Sequence, residues 1–294
     1  MIDNKYQICI TVGMNGLWGL PGPMRIVSFA LLIFFALPIT LYAAFGDGAP
    51  TIFNPDVFTD TSSQLRVDGS TGAFTQRVSI AIPPGRSSLQ PDLALDYNSQ
   101  RAEDSIVGYG WSLSIPYIQR FAPTGSQELY SGNARFISSM DGELVAVTAP
   151  TVTHRARVDT GAYNAYTYLN NTWVVYDKKG TKYTFGSADS GRQYDTATTS
   201  TRTYKWTLQE IRDTNNNYIT YTYSKSGNEI YPATVTYTGN NVTEGPFTVN
   251  FATSTRPDVR ESYKPGFKVT TNYRISEITA SISGSVVNRY TLAY

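Results

Sequence analysis

Cysteine and histidine each occur only once in this chain of 294 residues, as Cys9 and His154. A single cysteine excludes disulfides within the chain, and a single histidine excludes histidine-rich metal sites. Removal of the first 44 residues, argued below, would also take away the only thiol that could serve as a metal ligand, a nucleophile or a lipid anchor. We expect His154 to be a surface or turn residue and not a general base. The sequence therefore predicts neither a metal site nor a cofactor.

Charged residues are also scarce: Asp, Glu, Lys and Arg make up 16% of the chain, and the formal net charge is +1. Soluble domains usually contain about a quarter of charged residues. Binding to nucleic acid requires clustered Lys and Arg, which this balanced composition does not indicate, so we predict no nucleic-acid partner. The glycines of GYG (108–110) lack the spacing of a phosphate-binding loop, and no nucleotide site is predicted either.

One long hydrophobic run occurs near the amino terminus, in MRIVSFALLIFFALPITLYAA (24–44). A basic residue, a short apolar run, a proline and small residues, in that order, are typical of a secretory signal peptide. Cleavage would leave a secreted, extracellular product without a stable membrane span; the alternative is an uncleaved anchor. Residues 1–23 precede this signal without a basic cluster, so we predict that they are a non-native leader and that translation begins at Met24. Residues 45–60 are predicted to be a linker.

Beyond this linker, amphipathic helical patterns are nearly absent, and short alternating runs take their place. Runs rich in Val, Ile, Thr, Tyr and Phe and bounded by Gly, Pro, Asn or Asp are typical of β-strands. The first run predicts a buried face that comprises Phe74, Val78, Ile80 and Ile82. We predict an all-β fold over residues 61–294, with mostly antiparallel strands that form a sandwich or a strongly curved sheet. The runs lie at 72–83, 93–99, 111–120, 143–149, 172–177, 181–186, 218–224, 233–239, 247–253 and 286–294.

The stretch YKWTLQEIRD (204–213) is the one ambiguous segment, since its pattern fits a helix or a strand. We interpret it as a strand that runs into a turn, because Asp213 is followed by three asparagines. Asp213, Asn215 and Asn217 also mimic the start of a calcium-binding loop, but Tyr218 occupies the position where that loop needs Gly. A turn is therefore the preferred interpretation.

The stretch VGYGWSLSIPYIQR (107–120) joins two glycines to an alternating apolar run. Gly108 and Gly110 predict a bend that lets the chain enter a strand beside a close neighbour. Alternation places three apolar side chains on one face of that strand: Trp111, Leu113 and Ile115. We interpret Trp111 as a residue that packs in the core or between sheets; the alternative is a platform for a ligand.

Several segments together resemble the domain that opens SpvB-type virulence-plasmid proteins. The same domain begins the B subunits of insecticidal toxin complexes, which are relatives of the Rhs and YD-repeat proteins. The resemblance extends over roughly residues 60–294, and the segments that carry it are residues 71–100, 107–120, 204–224 and the stretch from 231–239 to the terminal 288–294. One departure is Asn216, where these proteins often have Gly, but Asn tolerates a left-handed turn. The family-motif positions, to which we assign a structural role, are Pro83, Pro84, Gly85, Gly108, Gly110, Trp111, Ser112, Leu113, Trp206, Asp213, Asn215 and Asn217.

The resemblance implies a non-catalytic structural module of a secreted or surface toxin or virulence assembly. In such proteins the domain forms part of a β-shell around or beside a toxic domain, and its partners are other domains or subunits of the assembly. The ADP-ribosyltransferase activity of the virulence-plasmid protein belongs to a different, later domain. Its Glu-x-Glu pair is absent from this sequence, so we predict no enzyme activity. Family members can act in the host cytoplasm after secretion.

An alternative function is that of a secreted β module that binds glycans or a host surface. Aromatic side chains on a sheet can stack against sugars, although cross-strand packing of Tyr and Thr explains the same composition without a ligand. The chain also ends in the strand-like NRYTLAY (288–294), from which we expect either a fragment of a longer protein or a short relative that must dock with a partner. The tyrosines concerned are Tyr163, Tyr166, Tyr168, Tyr221, Tyr223 and Tyr237.

Overall fold

The computed structural model describes residues 9–14, 64–101, 103, 105–132, 135–198 and 202–294. The predicted signal peptide (24–44) and linker (45–60) lie outside these residues, as does most of the predicted leader. The described residues contain β-strands and three short 3-10 helices, and none of their helices is long and apolar enough to cross a membrane. The predicted all-β class is therefore confirmed.

Every strand pair in the described part of the chain is antiparallel. Two sheets result, one large and one with four strands. The strands are β1 (Cys9–Met14), β2 (Gln64–Val67), β3 (Phe74–Ser79), β4 (Ala94–Asn98), β5 (Trp111–Leu113), β6 (Tyr117–Phe121), β7 (Arg135–Ser138), β8 (Gly142–Ala146), β9 (His154–Ala156), β10 (Ala165–Leu169), β11 (Thr172–Tyr176), β12 (Lys182–Phe185), β13 (Arg192–Gln193), β14 (Lys205–Arg212), β15 (Asn217–Ser226), β16 (Glu229–Asn240), β17 (Phe247–Ser262), β18 (Val269–Ile282) and β19 (Ser285–Ala293).

Eight strands of the large sheet close into a barrel. Strands β6 to β12 pair in chain order, β12 pairs with β14, and β14 pairs back with β6 through Lys205↔Gln119, Trp206↔Ile118 and Thr207↔Tyr117. The ambiguous stretch 204–213 thus forms a strand, as predicted, and this strand closes the barrel. Closure leaves the barrel strands without free edges, because each has a partner on both sides.

From β14 the large sheet continues outward as a meander, β15 to β19, and β1 lies beside β19 at its end. The longest strands of this meander are β17, with 16 residues, and β18, with 14 residues. The strand β1 belongs to the segment that the sequence analysis assigns to a leader, and it pairs in register with β19 from Cys9↔Ala293 to Met14↔Asn288.

The four-stranded sheet, in the order β2-β3-β4-β5, packs against the large sheet, and residues of both sheets share one hydrophobic core. Side chains of the meander also bond to the backbone that follows β3. The Ala81 N–H donates to Tyr290 Oη at 2.8 Å, and Asn288 Nδ2 donates to the Ala81 carbonyl at 2.8 Å. Tyr237 Oη donates to the Pro83 carbonyl at 2.9 Å. These bonds fix the two sheets relative to each other.

The expected buried face of residues 74–82 is present only in part. Ile80 is buried, and Val78 and Ile82 pack partly against the core, but Phe74 is exposed. The prediction is wrong for Phe74 because this residue begins β3 opposite Val67 of β2, the edge strand of the small sheet. Leu65 and Val67 on the same strand are likewise exposed. The outer end of the small sheet therefore carries apolar side chains that the meander does not cover.

Candidate functional site

The bend predicted at Gly108 and Gly110 is present, and it places the chain against a ring. The φ angles are 128° at Gly108 and 76° at Gly110, in the region that favours glycine. A Cβ at Gly110 would lie 2.8 Å from Cε2 of Tyr97, so no larger residue fits without a shift. Ser105 Oγ closes the bend by donating to the Trp111 carbonyl at 2.7 Å.

Trp111 then packs between the sheets, as predicted. Its side chain is buried and belongs to the shared core, and its ring centroid lies 5.2 Å from that of Tyr97 on the adjacent strand. Leu113 and Ile115 pack partly against the same core, which agrees with the predicted common face. Ser112, on the opposite face of β5, donates from Oγ to the Asp96 carbonyl at 3.4 Å.

The Pro83-Pro84-Gly85 turn lies at the junction of the two sheets. Pro83 accepts the hydrogen bond from Tyr237 described above, and the Gly85 N–H donates to Gln90 Oε1 at 3.2 Å. A Cβ at Gly85 would lie 2.0 Å from the Leu89 carbonyl oxygen, so the turn is tight enough to require glycine. This turn and the Trp111 strand are thus both parts of the inter-sheet contact.

Trp206 lies inside the barrel and has no exposed surface. Its Nε1–H points at Asn171, with the carbonyl oxygen at 2.9 Å and Oδ1 at 3.0 Å. Its ring contacts Tyr168 and Trp173 edge to face, with centroids 5.6 and 6.2 Å apart. The guanidinium carbon of Arg120 lies 5.5 Å from the centroid of the Trp206 ring. The barrel interior is therefore filled by aromatic side chains.

Arg120 packs against this aromatic cluster, and backbone carbonyls accept its hydrogen bonds. Its Nε–H donates to the Thr203 carbonyl at 2.8 Å and Nη1 donates to the Leu129 carbonyl at 3.2 Å. The guanidinium also lies over the rings of Tyr130 and Phe136. Burial lowers the pKa of Arg120, which nevertheless stays charged because the guanidinium pKa is so high. Backbone carbonyls and ring faces thus satisfy this cation.

His154 contradicts the expectation of a surface or turn residue. It begins strand β9, is only partly exposed and contacts the rings of Phe136 and Trp173 edge to face, at 5.4 and 5.0 Å. Burial lowers the pKa of its imidazole, and Nδ1 lies 2.8 Å from Thr153 Oγ1. The sequence offered no signal for this position, because a three-residue strand is too short to show a pattern.

Asp213, Asn215 and Asn217 form a turn between β14 and β15, as preferred over a calcium loop. Asp213 Oδ1 accepts from the backbone N–H groups of Asn215 and Asn217, both at 2.8 Å, and Oδ2 accepts from Asn217 Nδ2 at 2.7 Å. Asn216 has a φ of 62°, which Asn tolerates well. The carboxylate is thus occupied by donors of its own turn.

Most of the tyrosines considered for glycan binding are parts of the wall. Tyr166, Tyr221, Tyr223 and Tyr237 are buried, and Tyr168 packs partly against the core. Burial disfavours the charged phenolate and raises the pKa of the Tyr237 hydroxyl to about 12. This hydroxyl therefore keeps its proton.

Tyr163 is the exception, with 64% of its surface exposed and a φ of 57° that is uncommon for a residue other than glycine. It lines a small pocket of about 320 Å³ together with Asp141, Arg155 and Asn164. Asn164 is buried and donates from Nδ2 to Asp141 Oδ2 at 2.8 Å. An aromatic ring beside fixed polar groups is an arrangement that can hold a sugar.

Sequence reasoning missed an open space beside Lys205. Two cavities of about 610 and 680 Å³ meet there. The Lys205 ammonium lies 4.2 Å from the centroid of the Tyr117 ring. The residues that line both cavities are Glu103, Ser105, Ile106, Tyr117, Lys205 and Ile230.

The family model SpvB, described as Salmonella virulence plasmid 65kDa B protein, matches residues 68–170 and 162–244, which together span more than half of the chain. The chain belongs to the SpvB family. The matched residues include the inter-sheet turn, the Trp111 strand, Trp206 and the Asp213 turn, so the SpvB match covers all positions of the motif. No curated protein sequence matches the chain significantly.

Solved structures share the fold at low sequence identity. The N-terminal domain of effector protein SpvB from Salmonella typhimurium strain LT2 is 15% identical with a TM-score of 0.63, over 74% of this chain and 97% of that one. A chain of the Photorhabdus luminescens Tc holotoxin pore is 17% identical with a TM-score of 0.64, over 79% of this chain. TcdB2-TccC3 is 17% identical with a TM-score of 0.63, over 78% of this chain. This chain spans only 15% of each of the two longer chains.

Proposed function

We propose that this SpvB-family chain is a non-catalytic structural module of a secreted or surface toxin or virulence assembly. In this proposal it forms part of a β-shell around or beside a toxic domain, and its partners are other domains or subunits. The relatives support it, because one is the N-terminal domain of an effector and others are chains of toxin complexes in which this fold occupies a small part. Secretion through the predicted signal peptide (24–44) is part of the same proposal.

The observation that carries the proposal is the use of the motif residues in packing. Trp111 and Trp206 are buried in one continuous core, and Asp213 and Pro83 are bonded to their own turn or to the other sheet. The Asp213 carboxylate and the Pro83 carbonyl are occupied by these internal bonds, and Trp206 has no exposed surface. Residues held by fixed internal contacts suit a rigid wall, and we assign the whole motif a structural role on that basis.

The test is the intact mass of the native secreted product, detected with an antibody against residues 60–294. A product well above the 32.5 kDa of this chain supports a module within a longer toxin protein. A product somewhat below that mass, from signal removal alone, counts against it unless the protein is recovered in a complex with other chains. A free monomer of this size contradicts the proposal.

Binding of glycans is a second candidate, and the exposed Tyr163 beside its polar pocket is the observation that favours it. The five other tyrosines are buried or packed in the wall, so the candidate depends on this one place. The test is a glycan array probed with the wild-type chain and with Tyr163→Ala. Saturable binding that Tyr163→Ala abolishes and that Tyr176→Ala, at another exposed tyrosine, preserves would support it. Absence of binding by the wild type would exclude it.

A further inference from the structure

The cavities beside Lys205 lie where three parts of the molecule meet. The four-stranded sheet contributes Trp111 and Leu113, the barrel contributes Tyr117 and Lys205, and the meander contributes Ile230. The first cavity, of about 610 Å³, falls within the range of about 300–1,000 Å³ that is usual for small-molecule sites. Much of its lining is apolar: Ile106, Trp111, Leu113, Ile115, Met140, Ile230 and Pro232.

Lys205 and Arg101 are the basic residues that line the first cavity, and Lys205 is the less exposed of the two. Lys205 is partly exposed, because the cavity is open to solvent. Enough protein nevertheless surrounds its ammonium group that burial lowers the pKa of Lys205. The structure gives Nζ a contact with the Tyr117 ring and, within the described residues, no hydrogen bond or ion pair. An ammonium group removed from water without an anionic partner is unfavourable, since its lost hydration is not replaced.

The nearby carboxylates are engaged elsewhere. Glu103 pairs with Lys264, and Asp96 pairs with Arg77 at 3.0 Å. These two acids line the first cavity, together with Arg101. They reduce the local positive charge without serving as direct partners of Lys205.

Glu229, in the second cavity, is held by three donors. Oε1 accepts from Gln193 Nε2 at 3.2 Å and from the Ile230 N–H at 3.0 Å, and Oε2 accepts from Thr271 Oγ1 at 3.2 Å. Glu229 and Glu103 raise the pKa of Lys205 through space, against the larger effect of burial. A hydrogen-bonding position on the Lys205 ammonium is therefore left for a group that enters the cavity.

We propose that this cavity binds a carboxylate with an apolar body, whose head accepts hydrogen bonds from Lys205 Nζ. The carboxylate supplies the anion that the ammonium lacks, and the apolar body covers the lining around Ile106 and Met140. A charge-assisted bond of this kind is stronger than a neutral one, and it orients the ligand with its head toward the barrel. The ligand is either a free aliphatic acid or the carboxyl end of an apolar peptide.

Calorimetric titration of the full chain with sodium octanoate and with 1-octanol tests the head group without any variant. We expect octanoate to bind and 1-octanol, which has the same body without the charge, to bind at least about tenfold more weakly. Equal binding of the two probes would overturn the proposal. Titration with N-acetyl-dileucine and its carboxamide distinguishes the sources: binding of this peptide acid more tightly than octanoate assigns the site to a peptide end, and the reverse assigns it to a free acid.

The role of Lys205 in binding the carboxylate is tested with Lys205→Met, which keeps about the same side-chain length but removes the charge. The matched control is Lys179→Met, since Lys179 is exposed and lies outside both cavities. We expect Lys205→Met to lose at least about tenfold in octanoate affinity and Lys179→Met to bind like the wild type. Circular dichroism checks that both variants fold. Undiminished binding by a folded Lys205→Met, or no binding of either acid by the wild type, contradicts the proposal.

Discussion

Replacement of Trp206 by Phe tests whether the filled barrel holds the structure together. The change removes the Nε1–H that points at Asn171 and leaves space among the rings of Tyr168 and Trp173. The lost hydrogen bond costs about 1 kcal/mol. The smaller ring leaves a void of about 40 Å³, which at about 24 cal/mol per Å³ costs about 1 kcal/mol more. We therefore expect Trp206→Phe to lower the free energy of unfolding by about 2 kcal/mol.

The assay is urea unfolding followed by far-ultraviolet circular dichroism, with the slope of the transition compared between variants. In a domain of this size the loss corresponds to a decrease in Tm of about 4–8 °C. The control is Tyr176→Phe, because Tyr176 is an exposed aromatic residue on the barrel strand β11. A loss below about 0.5 kcal/mol for Trp206→Phe, similar to that of the control, would refute the reasoning, since surface substitutions have effects of this size.

Three further predictions concern the bend, the turn and the histidine. Gly110→Ala places a Cβ against Tyr97 at a positive φ, so it should destabilise by about 2 kcal/mol or more in the same urea assay, whereas Gly69→Ala, in open space, should be nearly neutral. Asp213→Ala removes three hydrogen bonds of the turn and should cost about 1–2 kcal/mol, measured by thermal unfolding. Burial holds the pKa of His154 below its ordinary 6.5, so the unfolded chain binds the proton more readily. Stability should therefore fall as the pH falls below about 6.5, and unfolding at several pH values should show a smaller slope for His154→Phe.

Local patterns in the sequence were sufficient to predict most strands and the turns that connect them. The stretch 204–213 could be assigned to a strand because Asp213 and the following asparagines favour a turn, and the side chain of Asp213 makes that turn's hydrogen bonds. The glycines before Trp111 indicated a close neighbour, and Tyr97 is that neighbour. In the first case the physical cause acts within the turn itself, and in the second it acts between adjacent strands, because Tyr97 of β4 lies beside the bend that leads into β5.

Features that depend on contacts between distant segments could not be predicted. The pairing of β14 with β6 closes the barrel, but no local period shows which strands will meet. Phe74 has the apolar character of a buried residue and is exposed only because the large sheet does not reach the edge strand β2. Lys205 reads as an ordinary strand lysine, and its position beside a cavity results from three elements that converge on it.

The central claim, that this SpvB-family chain is a module with neighbours, is tested most directly by hydrogen exchange. Among the described residues β2 has a partner strand on one side only, and it exposes Leu65 and Val67. An edge of this kind is suited to contact another chain or domain. Exchange is compared, peptide by peptide, between the isolated chain and the native material recovered from the organism that produces it. The account predicts slower exchange at exposed edges such as β2 in the native material. The same exchange at every peptide in both samples would contradict it.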